Sequence, residues 1–196
     1  MSLSLEDVFE AVSKEMYQLT HRWNVNLQLF DSGDDNLKLL NNSGSAVFNL
    51  LQKLLIQDAI LTISRLTDPS GAGDRENASI ENLLVRAKGT LTSIEYEKYE
   101  ERREHIYTRV QDLVRHRNKA IAHSDLQHAL NKKELPPLFY DDIESAMKEL
   151  CTFMSDIARA LFARSIKYNV TIPFGHGGDA LLRILAVAHK NSSDNG

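Results

Sequence analysis

The sequence has one cysteine, few prolines and no long uninterrupted apolar run, and these shortages exclude several classes of protein. Cys151 is the single cysteine among 196 residues, which excludes an internal disulfide framework and any zinc site built from several cysteines. The most apolar stretch, Ala46 to Leu66, carries charged and amide side chains that a helix in lipid would not tolerate. The sequence therefore predicts a protein without a membrane span, with its thiol in a reducing compartment.

The N-terminal segment also lacks the features of a secretory signal. Glu6 and Asp7 appear before any positive charge or sustained apolar run, so we expect a cytoplasmic protein. The formal net charge of −4 argues against a protein that coats nucleic acid indiscriminately, although an acidic chain can still present a local basic surface. An apolar fraction of 42% is typical of a globular domain.

The apolar positions recur at helical spacing, and neither strand alternation nor a fixed-period repeat is present. The pattern predicts an all-α fold, an antiparallel helical bundle with an extra N-terminal helix and a short C-terminal docking helix. Residues 1–190 are expected to form a single domain and residues 191–196 a disordered tail. The predicted helices run from Ser4 to just before Asp31, Ser45 to Thr67, Ser79 to Leu91, Ile94 to His123, Tyr140 to Tyr168, and Ala180 to His189 after a capping Asp179.

The segment that is richest in possible chemistry lies at the end of the fourth predicted helix. Between Val114 and Asp125 the chain reads Arg117, Asn118, four further residues and His123. Histidine can exchange a proton near neutral pH, and arginine is a permanent cation that stabilises negative charge. We therefore predict Arg117 and His123 as catalytic residues that act on an anionic substrate, and as substrate-binding residues Asn118, Lys119 and His116.

This segment resembles the arginine–asparagine-to-histidine signature of the HEPN superfamily (higher eukaryotes and prokaryotes nucleotide-binding). Asp58 to Pro69 and Ser79 to Leu84 are similar to the AbiU-like abortive-infection branch of that superfamily. Ile172 to Phe174 and Gly178 to Leu182 are similar to the same branch, so the resemblance covers roughly residues 45–185.

The resemblance implies an HEPN-like helical domain that acts as a metal-independent endoribonuclease, in phage defence or a toxin-like role. Such an enzyme leaves 2′,3′-cyclic phosphate and 5′-hydroxyl ends, uses no cofactor, and typically forms a composite site in a homodimer. We expect RNA to face the basic side chains between Lys98 and Lys119. An antitoxin or regulatory protein is a further possible partner. The alternative is a non-catalytic HEPN module that dimerises or binds a nucleotide or protein.

Helix geometry raises a difficulty for this site. In a continuous α-helix Arg117 and His123 would stand about 120° apart around the axis and about 9 Å apart along it, whereas His116, Lys119 and His123 would share a face. Three arrangements would bring the arginine to the histidine: the side chain wraps around the helix, the helix ends before His123, or two subunits pair their motifs. The resemblance favours the dimer.

A plainer interpretation needs no catalysis. Arg117 would only form a salt bridge with Asp58, Asp68 or another carboxylate, and His123 would end the helix as cations commonly do. In the functional interpretation, Asp58, Arg65 and Asp68 of the second helix would instead orient the motif.

Two other types of site are disfavoured. The 7 histidines come without a His-Glu-x-x-His pattern, so we expect no metal site. The glycine-rich stretch Gly175 to Gly178 could cradle an anion, but without a preceding strand it is better explained as a turn between helices.

Overall fold

The computed structural model describes residues 3–72, 75–121, 134–169 and 171–193, and about three quarters of them are helical. This confirms the predicted all-α helical bundle. A two-residue hairpin pairs Gly71 with Glu76 and Ala72 with Arg75 in antiparallel register. The elements are α1 (Leu5–Phe30), α2 (Asp34–Leu66), β1 (Gly71–Ala72), β2 (Arg75–Glu76), α3 (Ile80–Ala87), α4 (Ser93–Arg109), α5 (Gln111–His116), a π-helix (Arg117–Ile121), α6 (Tyr140–Phe162) and α7 (Gly178–Ser193).

Several helices begin at residues whose side chains cap them. The Ser4 amide donates to Asp7 Oδ2 at 2.8 Å and the Asp7 amide donates to Ser4 Oγ at 3.1 Å, as the sequence predicts. Thr92 and Glu95 form the same reciprocal box at the start of α4, and Ser79 caps α3. These bonds satisfy amide groups that have no acceptor within the helix, which fixes where each helix starts.

Helix α2 begins earlier than predicted, at Asp34 instead of Ser45. The turn before it is short because Gly33 adopts a φ of 105°, which glycine tolerates. Asp34 and Asp35 then lie at the positive end of the helix, where carboxylates are stabilising. Gly44 has extended backbone and interrupts the helix, so the predicted start at Ser45 is the residue where the helix resumes.

The resumed part of α2 exposes an apolar face. Val47 is 67% exposed, Leu50 57% and Leu54 51%. By length and composition alone, α2 would also be able to cross a membrane, a test that core helices of globular proteins pass too. The absence of a membrane span therefore stays a prediction.

The prediction of one continuous helix from Ile94 to His123 is wrong for the residues of this stretch that the structure describes. Helix α4 ends at Arg109 because Val110 has a ψ of 4°, far from the roughly −42° of an α-helix. Helix α5 follows, and the chain then widens into the π-helix at Arg117. The predicted end at His123 lies outside the described residues.

Helix α6 ends at Phe162, six residues before the predicted end at Tyr168. Ala163 takes the left-handed conformation, with φ 52°, and the Arg164 amide donates to the Ala158 carbonyl at 3.2 Å. This is the usual way a helix satisfies its last carbonyl groups, although glycine is the common residue there. The described residues from Ala163 to Asn169 are therefore not helical, and Tyr168 is a core residue.

Contacts divide the chain into two compact units, of which the first comprises described residues within 1–19 and 59–169. Its core places Tyr168 Oη 2.8 Å from Ser13 Oγ, both buried. Arg164 pairs with Glu6 and Glu10 on α1. The largest fully buried side chains of this unit are Phe9, Met16, Leu19, Ile63, Leu66, Ile80, Leu83, Leu84, Phe153 and Tyr168.

The second unit comprises described residues within 20–58 and 170–196. Leu182 of α7 packs with Leu29, Phe30 and Leu40, so the C-terminal helix docks on the end of α1 and the start of α2. Helix α7 extends through Ser193, into the segment for which disorder is expected. The division into one domain and a tail stays a prediction.

Replacing Tyr168 by phenylalanine should lower the free energy of unfolding by about 1 kcal/mol at pH 8, because Ser13 loses its buried partner. Burial raises the pKa of Tyr168 from 10.0 to about 12. The folded state thus favours the protonated phenol. The stabilisation that Tyr168 gives the folded state is complete below pH 10 and is lost as the pH rises towards 12. In urea unfolding, the difference between wild type and variant should narrow between pH 8 and pH 11.

Tyr107→Phe is the matched control, since Tyr107 is 41% exposed. A difference for Tyr168→Phe that stays constant over this pH range would contradict the assigned pKa.

Candidate active-site segment

The motif coincides with an irregularity in the helix. Arg117 is the first residue of the π-helix, directly after His116 ends α5. A π-turn bonds each amide to the carbonyl five residues earlier, and such turns are rare and often occur at functional sites. The separation of 120° between Arg117 and His123, which assumes a continuous α-helix, is therefore wrong as a description of this segment. His123 itself lies outside the described residues.

Asp68 holds the arginine of the motif. Arg117 Nη1 donates to Asp68 Oδ1 and Oδ2, each at 2.8 Å, and the two side chains are 21% and 26% exposed. Arg117 Nε donates to Asn118 Oδ1 at 3.0 Å. Within the part of the chain that the structure describes, Arg117 Nη2 has no partner.

The position of Asp68 is itself fixed by the end of α2. Thr67 is buried, and its hydroxyl donates to the Ile63 carbonyl at 3.0 Å. The Asp68 amide donates to the Arg65 carbonyl at 3.2 Å. These bonds hold the first residues after the helix, and the carboxylate is thereby presented to Arg117.

The other two residues of α2 that were predicted to orient the motif make different contacts. Asp58 lies 2.6 Å from Arg22 Nε. Arg65 Nη2 donates to Glu15 Oε2 at 2.9 Å and to Thr62 Oγ1 at 3.2 Å. Of the three candidates, Asp68 is the one that touches Arg117.

The predicted substrate-binding residues differ in how accessible they are. His116 is half-buried, and its Nε2 lies 2.6 Å from the Pro136 carbonyl oxygen. Because a carbonyl oxygen only accepts, Nε2 carries a proton and donates it. Asn118 and Lys119 are exposed. The contact of His116 therefore supports the segment, whereas Asn118 and Lys119 are placed where a ligand can reach them.

The described residues offer little to a metal or a reactive thiol. Within them, no three histidine, cysteine or acidic side chains converge as metal ligands. Burial raises the pKa of the Cys151 thiol to about 11, so it is protonated at neutral pH and a weak nucleophile. In the glycine-rich turn, the amides of Gly175 and Gly177 donate to the Asp179 carboxylate at 2.6 and 3.3 Å. The chain's own carboxylate thus takes the place that an anion would occupy.

Sequence reasoning missed a groove of about 570 Å³ between α4 and α6. The signal was present in the spacing, because Arg102, His105 and Arg109 recur on one side of α4 at intervals of three and four residues. Periodicity shows which residues share a face of a helix, but it does not show that two such faces border the same groove.

Much of the basic excess predicted to face RNA is ion-paired. Arg103 contacts Glu100, Glu104 and Glu81. The other ion-paired arginines of this region are Arg102, Arg109, Arg115 and Arg117. The local field is therefore weaker than the count of arginines suggests.

Comparison with known families agrees with the fold. An HEPN family model matches residues 2–179, so the chain is an HEPN-domain protein. The model is described as AbiU2, and the chain belongs to this abortive-infection family. No curated protein and no solved structure matches the chain. The resemblance to the AbiU-like branch is thus confirmed. The match begins further towards the N-terminus than the predicted residue 45 and ends at residue 179 instead of 185.

The Asp68–Arg117 contact can be tested by a double-mutant cycle. Asp68→Asn and Arg117→Gln should each lower the free energy of unfolding by about 1 kcal/mol, with a coupling of roughly 0.5 to 1 kcal/mol, because the pair is partly shielded from water. The measurement is urea unfolding of both single variants and the double variant.

Asp112 and Arg115 provide a control pair, since their side chains are 53% and 64% exposed at a distance of 2.8 Å. A coupling for Asp68 and Arg117 no larger than that of the control pair would show that the contact does not hold in solution.

Proposed function

We propose that this protein is a metal-independent HEPN endoribonuclease that cleaves RNA with Arg117 and His123. The observation that carries the proposal is the state of Arg117: it begins a π-helix, one terminal nitrogen is held by Asp68, and the other has no described partner. A guanidinium held at Nη1 by Asp68 and at Nε by Asn118 would be preorganised to donate from Nη2 to a phosphoryl oxygen.

The reaction requires a bond to form between the ribose 2′-oxygen and phosphorus while the bond from phosphorus to the 5′-oxygen breaks. A base takes the proton of the 2′-hydroxyl and an acid protonates the leaving 5′-oxygen, so the products are a 2′,3′-cyclic phosphate and a 5′-hydroxyl. Histidine serves either role near neutral pH. Arg117 would stabilise the charge that develops on the non-bridging oxygens, and Asn118 and Lys119 would position the substrate.

The motif supplies one arginine and one histidine, and this has a consequence for assembly. A two-fold dimer pairs the motifs of both subunits, so that Arg117 of one subunit could act with His123 of the other. We therefore include a homodimer with a composite site in the proposal, together with a cytoplasmic, toxin-like role in phage defence. An antitoxin or regulatory protein would then be needed to restrain the activity.

A second candidate function is a non-catalytic interaction module. It is favoured by the same ion pair, because an arginine committed to Asp68 can be a structural brace, and by the exposed aliphatic face of Val47, Leu50 and Leu54. Under this alternative, the motif would stabilise the domain and the protein would not cut RNA.

Incubation of mixed cellular RNA with the purified protein in excess chelator should give fragments with 2′,3′-cyclic phosphate ends. Arg117→Ala and His123→Ala should each reduce cleavage by about a hundredfold or more, because each removes a group that acts in the transition state. The measurement combines fragment sequencing with chemical analysis of the ends.

The matched controls are Arg75→Ala, an exposed arginine outside the basic region, and His176→Ala, an exposed histidine. Both should cleave like wild type. Cleavage that survives in Arg117→Ala and His123→Ala would refute the site, and a folded wild type that leaves every RNA intact would favour the interaction module.

The composite site predicts recovery when two inactive variants are mixed. If Arg117 of one subunit acts with His123 of the other, a heterodimer of Arg117→Ala and His123→Ala contains one intact site. With free subunit exchange, half of the dimers are mixed and half of their sites are intact, so about a quarter of wild-type activity should return. Activity that stays at the level of the separate variants, despite verified exchange, would place the whole site within one subunit.

A further inference from the structure

The groove between α4 and α6 belongs to the first compact unit and has two distinct walls. On each helix the lining residues follow one face, at intervals of one, three or four residues, so both walls are continuous. Its volume is about 570 Å³, in the range of ligand-binding clefts. The lining residues are Glu101, Arg102, His105, Ile106 and Arg109 on α4, and Ser145, Lys148, Glu149 and Thr152 on α6.

Cationic side chains outnumber carboxylates in this groove when histidine is counted as neutral. Glu149 Oε1 lies 3.3 Å from Arg109 Nε, and Oε2 lies 3.3 Å from His105 Nδ1. Arg102 Nη1 donates to Asp156 Oδ2 at 2.9 Å. Lys148 is exposed and makes no ion pair with any other described residue. One carboxylate therefore lies within ion-pair distance of two basic side chains without a hydrogen bond to Oε2, and Lys148 remains for an anion.

We infer that this groove binds the phosphodiester backbone of single-stranded RNA, an inference that rests on the proposed function and names the substrate path to its site. Arg102 and Arg109 are separated by about 10 Å along α4 at 1.5 Å per residue. Cations spaced along a groove follow a strand's backbone without reading its bases. Lys148 and the Ser145 hydroxyl supply a charge and a hydrogen bond from the opposite wall.

The ion pairs in the groove do not prevent this binding. Arg109 is 46% exposed, and an exposed ion pair contributes about 0 to 1 kcal/mol, so a phosphate can replace Glu149 at little cost. Glu101 and Glu149 also line the groove, so it is less cationic than its arginines and lysine alone suggest.

The groove lies close in sequence to the motif. Between Arg109 and Arg117 the chain runs through Val110 and the 6 residues of α5, which span about 9 Å at helical rise, so a strand of a few nucleotides would reach from one to the other. An acidic peptide bound in the groove would have no reason to reach the motif, whereas an RNA strand that is cleaved there would. We therefore favour RNA as the occupant.

The experiment measures binding separately from cleavage. In a His123→Ala background, which leaves the RNA intact, binding of a labelled 20-nucleotide single-stranded RNA is followed by fluorescence anisotropy between 50 and 300 mM NaCl. Adding Arg109→Gln and Lys148→Gln should weaken binding about tenfold at 100 mM, and should reduce the slope of log K against log salt by about 1.4, the value for two lost contacts to single-stranded RNA. Adding Lys14→Gln and Lys167→Gln, which remove the same charge from exposed positions of the same unit, should change neither quantity.

Unchanged RNA affinity in the folded groove variant would overturn the inference, even if the wild type cleaves RNA. Absence of any RNA binding would overturn it as well. Groove-dependent binding without cleavage would support the RNA path and reject the ribonuclease proposal. Displacement of the RNA by polyglutamate at equal charge concentration would show a general anion surface and reject RNA as the specific occupant.

Discussion

The contact between Asp68 and Arg117 connects the end of α2 to the first residue of the π-helix. It joins two segments 49 residues apart in the chain and fixes the arginine at the point where the helix changes its hydrogen-bonding pattern. Other features of the site depend on it. Asn118 bonds to the same guanidinium, and the direction in which Arg117 Nη2 points follows from which atoms Asp68 holds. Without this carboxylate the arginine would be a long, flexible side chain on an exposed turn.

The two compact units contribute in different ways. The described part of the motif, the Asp68 carboxylate and the α4–α6 groove all belong to the first unit, whose core is built on buried side chains from α1, α2, α3, α4 and α6. The second unit carries the exposed aliphatic face of α2 and the docked C-terminal helix. A surface for another protein and a surface for RNA would therefore be supported by separate cores.

Much of the fold was accessible from the sequence, because helical periodicity and capping act locally. The Ser4–Asp7 box and the Ser79 cap were predictable from residue types alone. The break at Val110 and the π-helix at Arg117 were not, since a change of backbone torsion in an apolar, buried residue leaves no mark on composition. Ala163 is a similar case, because glycine is the residue that signals a left-handed helix end.

For the site, the sequence identified the motif and a set of residues that could orient it, but it could not choose among them. Asp68 lies beyond Leu66, the last residue of α2, so helical spacing does not determine its direction. Asp58 lies within the helix, yet its partner is Arg22, which nothing in the local spacing indicated. Ion-pair partners depend on which helices pack together, and that information is not contained in the pattern of one helix.

An arginine that is already paired raises the question of whether it can still act on a phosphate. The pair is partly exposed, and such ion pairs contribute about 1 kcal/mol or less, whereas a preorganised donor to a developing oxyanion contributes roughly 3 to 4 kcal/mol. The second effect is larger, so the pair would not prevent the arginine from stabilising a transition state. Since Asp68 contacts Nη1 alone, a phosphoryl oxygen could bind Nη2 while the ion pair remains intact. The carboxylate then reduces the net charge of the guanidinium but also limits its rotation, which lowers the entropy cost of binding. An interaction that resembles a structural brace is therefore compatible with catalysis. The position of His123 relative to Nη2 of Arg117 would separate the two functions.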